Sequence, residues 1–268
     1  MLLTERSNPR TRDIDQQSTV GILKLINRED ARVAAAVGQQ LESIAGVVDA
    51  VVLRLEGGGR LFYVGTGASG RLGLLDAVEC PPIFGTPPSL VQAILAAGPE
   101  AALRSLEGAE DDHLSGARDL VRAGVTARDA VVGITASGGT PYTVEAIRKA
   151  AQIGAFTASI SCNQRAEISA LVDQPIEVGC GPEVVAGATR LKAGTAQKMV
   201  LNMISTATMI RLGNVYSNLM VNLSLSNRKL TERGIRIVAE AAKISLEEAE
   251  KALKEIGDRH DCTEVHRR

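Results

Sequence analysis

Five short, largely apolar runs separated by helical stretches set the tightest limit on what this chain can fold into. They lie at 61–64, 91–95, 130–135, 156–161 and 175–178, with helix-forming stretches around 71–77, 112–122, 141–152 and 167–172. Short apolar strands of this kind are buried on both faces, and the intervening helices supply the cover. The pattern predicts an α/β fold, a three-layer sandwich around a mainly parallel five-stranded sheet. In such sheets ligands bind beyond the carboxyl ends of the strands.

The flanks are different. Residues 1–18 are polar and charged, without apolar periodicity, and read as an arm that wraps something or stays mobile. Asn27 offers an N-cap with Glu29 and Asp30 behind it, so 28–56 is expected to be one long amphipathic helix, ended by Gly57-Gly58-Gly59. The stretch 191–212 carries Met199, Val200, Met203, Ile204, Met209 and Ile210 on nearly every side. That predicts a central buried helix or an oligomer seam. Charged helices at 227–240 and 245–256 form a helical C-terminal extension, and the last dozen residues are expected to fray. The expected organisation is an arm at 1–27, a ligand-binding domain at 28–226 and a short helical segment at 227–268.

Charge and composition remove several function classes. Lysine and arginine (30) nearly cancel aspartate and glutamate (31), which leaves no basic footprint for duplex nucleic acid. With no Trp, three Tyr and three Phe there are too few aromatic platforms for single strands. Cys80, Cys162, Cys180 and Cys262 show no CxxC spacing, and of the histidines only His113 lies outside the last ten residues. No zinc cluster or histidine-based triad follows from that, and His113 reads as a surface or capping residue. Charge appears too early for a signal peptide, and no segment has the apolar length to span a bilayer. The expectation is a cytoplasmic protein with reduced cysteines and no membrane partner.

Chemistry concentrates in two glycine-rich loops, each directly after a predicted strand. The first is Gly65-Thr66-Gly67-Ala68-Ser69-Gly70-Arg71; the second is Thr135-Ala136-Ser137-Gly138-Gly139-Thr140-Pro141. Glycines let the backbone approach an anion, the hydroxyls donate to it, and each loop opens a helix whose N-terminus favours negative charge. Either loop alone is equally well a tight turn; two at matching places on one sheet point to a phosphorylated ligand. Neither is a mononucleotide P-loop, since Gly-Lys-Ser/Thr is missing. The first matches GxGxxG at Gly65, Gly67 and Gly70, but no acidic residue closes a second strand where a dinucleotide fold wants one.

At this point the second loop resembles the phosphate-binding turn of the sugar isomerase (SIS) domain. Longer stretches resemble the N-acetylmuramic acid 6-phosphate etherase family of that superfamily. They are Gly67-Ala68-Ser69-Gly70-Arg71-Leu72-Gly73 running on to Val78-Glu79-Cys80-Pro81-Pro82, then Ala136 to Tyr142, Gly181-Pro182-Glu183-Val184, and Thr189 to Lys198. The opening Thr4-Glu5-Arg6-Ser7-Asn8 also resembles that family's start, and the likeness runs to about residue 240. The chain departs from the family pattern at Ala68, Ile83 and Ala188, which removes hydroxyls from the ligand's surroundings. The C-terminal module looks shortened.

The resemblance implies a lyase that cleaves the D-lactyl ether at sugar carbon 3, giving N-acetylglucosamine 6-phosphate and D-lactate, with no metal or redox cofactor. It implies Glu79 and Glu110 as the catalytic carboxylates, one a base for the carbon-2 proton and one an acid for the ether oxygen. Pro81-Pro82 and Ile83-Phe84 give Glu79 an apolar setting, which suits a general acid. Read without the resemblance, Glu110 in Glu110-Asp111-Asp112 is ordinary helix capping. Ser137, Gly138, Gly139 and Thr140 are the phosphate candidates, Gly67 and Ser69 the sugar candidates, and Glu183, Arg190 and Lys192 a second tier. SIS domains commonly pair, so a homodimer is implied. A non-catalytic phosphosugar-binding regulator and an aldose–ketose phosphosugar isomerase stay open as alternatives.

Overall fold

Successive residues of the first strand feed two different cores. Leu61 and Tyr63 of β1 (Leu61–Gly65) enter one hydrophobic cluster, while Phe62 and Val64 enter another, because neighbouring strand residues point to opposite faces. β2 (Val91–Leu95), β3 (Ala130–Ile134), β4 (Phe156–Ser161) and β5 (Gln174–Glu177) complete a sheet of order β2-β1-β3-β4-β5, parallel throughout. This computed structural model describes residues 2–104, 106, 108–221 and 228–256. The three-layer α/β sandwich is the one the strand pattern predicts.

The helices form the outer layers. α1 (Thr19–Asp30) leads into α2 (Val33–Gly38), α3 (Leu41–Glu56) and, beyond β1, α4 (Gly67–Phe84). Residues of α2, α3 and α4 share one core cluster with α7 (Lys192–Arg211), whereas α5 (His113–Arg122) and α6 (Pro141–Ile153) cover the opposite face. α7 lies against α2, α3 and α4, with Val200, Ile204 and Met209 fully buried. It is the central buried helix that its all-round apolar sequence predicts. No single helix among the described residues is long and apolar enough to cross a membrane.

The N-terminal region corrects two expectations. The stretch 28–56 is not one helix: breaks after Asp30 and Gly38 divide it, and the first helix begins upstream at Thr19. Its cap is Ser18, which accepts from the Gly21 N–H at 3.2 Å, rather than Asn27. The second break coincides with a long-range tie, the Gln40 side chain accepting from the Glu177 N–H of β5 at 3.2 Å. The arm wraps its own chain: Asn8 Nδ2 donates to Pro182 O (3.1 Å) and Thr11 Oγ1 to Val184 O (2.8 Å).

Glu29 holds these pieces together. It accepts from Arg10 Nε (2.5 Å), Asn8 Nδ2 (2.9 Å) and the fully buried Lys192 Nζ (2.6 Å), linking arm, α1 and the start of α7. The Arg10 hydrogen bond is the main cause that lowers its carboxyl to about 2; burial opposes it, and Lys192 and Asn8 add to the lowering.

Beyond α7, β6 (Val215–Tyr216) and β7 (Leu219–Met220) form an antiparallel hairpin that the sequence reading does not include. α8 (Arg228–Ala242) and α9 (Leu246–Ile256) follow as the helical extension. Ile237 packs beside Val221, and Ser245 with Glu248 makes a reciprocal cap at the start of α9. The expected boundary at 226/227, the helix start at Asn227 and the frayed last dozen residues lie outside the described residues.

A depressed carboxyl adds stability that is complete above its unfolded value and is lost as pH falls through its folded value. Urea unfolding should therefore show stability dropping between pH 4.5 and about 2 in a Glu29-dependent manner. Lys192→Met, which strands the buried Glu29 with one cation fewer, should cost about 3–5 kcal/mol at neutral pH. A neutral-pH loss within error of zero would show that the pair does not anchor the arm.

Candidate active site

β1 sits between β2 and β3, so the chain order reverses on either side of it. Ligand crevices in parallel sheets open at such a switch point. Both glycine loops start there, and the register sets Gly65 beside Ile134, so they leave the sheet at one level. Between them lies a cavity of about 360 Å3, lined by Thr66–Ser69 from the first loop, Ala136, Ser137, Gly139, Thr140 and Pro141 from the second, and Glu5, Glu110, Asp111 and Thr189. No lysine or arginine lines it among the described residues. What this lining offers an anion is hydroxyls and the N-termini of α4 and α6.

The second loop is braced by its own hydroxyls. Thr135, nearly fully buried, shares a 2.7 Å hydrogen bond with Thr140 Oγ1 and accepts from the Gly138 N–H at 3.1 Å. The Gly139 N–H donates to Ser137 Oγ at 3.3 Å. Gly138 has φ +83°, and a Cβ there would collide with Ala166, so this position needs glycine twice over. It does not line the cavity; Ser137, Gly139 and Thr140 do. Pro141 opens α6 at a position that needs no N–H.

The first loop turns directly into α4. A Cβ on Gly70 would lie 2.6 Å from Gly65 O, so the glycine lets helix and strand touch. Gly67 and Ser69 line the cavity, and Ser69 Oγ donates to Gln197 Oε1 of α7 at 3.0 Å. Gln197 and Thr135, which lie in stretches the sequence singles out, brace the site, a role the sequence reading does not give them.

Glu110 reaches the same cavity. Capping of α5 falls instead to Asp112, which accepts from the Ser115 N–H at 3.0 Å, so Glu110 is not spent on the helix end. Its backbone is pinned from the other side, where the Tyr142 N–H of α6 donates to Glu110 O at 3.1 Å. Arg71 holds the preceding segment through Ala101 O (3.0 Å) and Arg104 O (2.7 Å).

Glu79 is elsewhere. α4 continues through Pro81 and Pro82 to Phe84, where Gly85 closes it in a left-handed turn, so Glu79 lies inside the helix and not at its end. Twelve residues of helix set it roughly 18 Å along the axis from Gly67. It is exposed, and borders a second cavity of about 430 Å3 with Ile83, Phe84, Ile210 and Met220. Its apolar neighbours on α4 do not enclose it. One chain does not bring Glu79 and Glu110 together.

The second tier also separates from the cavity. Glu183 is fully buried and accepts from the Lys192 and Ala193 N–H groups, both at 2.9 Å, capping α7. Burial pushes its carboxyl above the usual range, against the pull of those two bonds. Lys192 is committed to Glu29, and Arg190 is exposed on the turn before α7. None of the three lines the cavity; from that segment Thr189 does. Glu5 is the other residue the reading missed, since nothing in a polar arm signals that it returns to the sheet.

Known proteins resemble this chain in sequence and in fold. A family model, the glucokinase regulatory protein N-terminal SIS domain, matches residues 43–151. The N-acetylmuramic acid 6-phosphate etherase of Geobacillus thermodenitrificans (strain NG80-2) is 56% identical over 248 residues, covering 92% of this chain and 84% of that protein. The enzyme of that name from Clostridioides difficile (strain 630) is 50% identical, covering 95% of this chain and 84% of that one. Among solved structures, a phosphoheptose isomerase from Francisella tularensis superposes with a TM-score of 0.57 at 15% identity, covering 72% of this chain and 100% of that chain.

The loop geometry predicts an unequal pair of variants. Gly67 also has positive φ, but its Cβ position meets nothing within 4 Å. Gly67→Ala should cost roughly 1–2 kcal/mol in urea unfolding, the left-handed backbone alone. Gly138→Ala should cost clearly more, because the collision with Ala166 is added. Equal losses would mean that the second loop yields freely.

Proposed function

The chain belongs to the N-acetylmuramic acid 6-phosphate etherase family, and on that premise we propose that it is a carbon–oxygen lyase acting on N-acetylmuramic acid 6-phosphate at the switch-point cavity. The products are N-acetylglucosamine 6-phosphate and D-lactate. The observation that carries this reading is the pairing of two glycine loops with the Glu110 carboxylate around one cavity. The phosphate takes the Ser137–Thr140 loop and the α6 N-terminus, and the sugar lies toward Gly67 and Ser69.

An unactivated ether is a poor leaving group, so the sugar reacts in its open-chain form. The aldehyde at carbon 1 acidifies the carbon-2 proton, and a carboxylate removes it. The carbon-3–oxygen bond then breaks as a carboxylic acid protonates the departing lactyl oxygen. Water adds back across the double bond, its hydroxyl to carbon 3 and a proton to carbon 2. Two carboxylates serve both halves by exchanging acid and base roles.

One of those carboxylates is Glu110. The other, Glu79, arrives from a second copy. On α4 the exposed stripe Leu75, Val78, Glu79 and Pro82 has no cover among the described residues, with Leu75 and Val78 48% and 54% exposed. The homodimer of this proposal is one in which Glu79 of the partner subunit faces the Glu110 cavity, and symmetry repeats the exchange. The described cysteines are free and buried, which fits a cytoplasmic enzyme.

The experiment follows D-lactate release. Wild type should be active, and Glu79→Gln and Glu110→Gln should each be nearly inactive while remaining dimeric. Mixed and allowed to exchange subunits, the two variants should regain about a quarter of wild-type activity, because half the dimers then hold one intact site of two. No recovery in demonstrably mixed dimers would remove Glu79 from the shared site. A folded wild type that releases no lactate would return the chain to the phosphosugar-binding alternative.

A further inference from the structure

Glu5 stands in the cavity because one buried side chain fastens the arm to the second glycine loop. Asn163, 2% exposed, follows β4 and lies between the two. Its Oδ1 accepts from the Leu3 N–H (2.6 Å) and the Thr4 N–H (3.3 Å). Its Nδ2 faces Thr4 Oγ1 (3.1 Å), Ala136 O (3.0 Å) and Ser137 O (3.2 Å). Two backbone donors on one side and two carbonyls on the other fix which way the amide points. The arm's first turn is thereby registered against Ser137 itself.

That turn buries Thr4 and turns Glu5 outward, into the lining beside Ser69, Glu110 and Thr189. Opposite it, Gly187 lacks a side chain where the carboxylate passes: Glu5 Oε2 is 3.6 Å from the point a Cβ would occupy. The Glu5 carboxylate has no hydrogen bond or ion pair among the described residues. It plays no part in holding the arm, which Asn8, Arg10 and Thr11 anchor independently. With no lysine or arginine in the lining among the described residues, what suits it is a neutral donor, and a sugar offers hydroxyls.

We propose that Glu5 is a substrate-contacting specificity residue whose carboxylate accepts hydrogen bonds from the hydroxyls of the sugar whose phosphate sits on the Ser137–Thr140 loop. This rests on the etherase reading of the cavity and adds the arm to its sugar subsite. Glu5 discriminates sugar phosphates from the phosphate ion alone, because its acceptor oxygens serve only the polyol.

The test compares Glu5→Ala and Glu5→Gln with wild type in the whole chain of 268 residues. KM for D-lactate release should rise about 10- to 100-fold in Glu5→Ala, the loss of a hydrogen bond to a charged acceptor, with kcat changed much less. Glu5→Gln, which keeps one acceptor oxygen, should fall between. By calorimetry, N-acetylglucosamine 6-phosphate should bind correspondingly weaker, whereas inorganic phosphate should bind as well or better once a negative charge is gone. Thermal stability should match wild type in both variants. Unchanged KM and unchanged N-acetylglucosamine 6-phosphate affinity would overturn the proposal. So would equal weakening of sugar phosphate and inorganic phosphate, which would mean that Glu5 acts on the loop and not on the sugar. The binding arm holds even if the wild type releases no lactate, so failure of the etherase reading and failure of the Glu5 contact are read separately.

Discussion

The parallel pairing of β1 with β3 places two strand ends about 4.8 Å apart at the carboxyl end of the sheet. Each end must turn at once into a helix, and each turn does so through glycines that admit close backbone contact or a left-handed φ. Two helix N-termini then open on one cavity, lined with hydroxyls and with no cation among its described lining residues. In the proposed reading a phosphate is held there by dipoles and hydrogen bonds, which leaves the acidic side of the cavity for the sugar. The separation of an anion seat from a carboxylate-lined chamber follows from strand order.

Long-range polar ties keep that chamber in shape. Glu29 joins the arm to α7, Glu183 caps α7, and α7 in turn presents Gln197 to Ser69. Asn163 does the same for the arm and the second loop. Glu29, Glu183 and Asn163 are held by several structural partners each, and that is how they shape the site. Glu183 and Lys192 belong here: they sit in a motif shared with the family, and what they fix is the start of α7.

The sheet was readable because each strand is a local signal, a short apolar run followed by glycine or helix. All five were located to within a residue or so at either end, and both glycine loops fell where they were expected. The N-terminal helices were less readable. Their breaks fall inside a continuous apolar periodicity, and the tie at the second break runs from Gln40 to a strand more than a hundred residues away. Glu110 could be told from a capping residue only once Asp112 was seen to take that role. Thr135, Glu5 and Gln197 lie in stretches the sequence singles out, but their places, like that of Asn163, depend on contacts distant in sequence or on the folded loop. The separation of Glu79 from the cavity was equally hidden, because it depends on α4 running unbroken from Gly67 past Glu79.

The central claim is that carboxylates in this cavity eliminate lactate and then return water to the sugar. Running the reaction in deuterium oxide enriched in oxygen-18 tests it in one experiment. The account predicts deuterium at carbon 2 and oxygen-18 at carbon 3 of the N-acetylglucosamine 6-phosphate formed, with D-lactate keeping the original ether oxygen. Oxygen-18 in the lactate, with hydrogen retained at carbon 2, would mean that the bond breaks on the lactyl side and would contradict it.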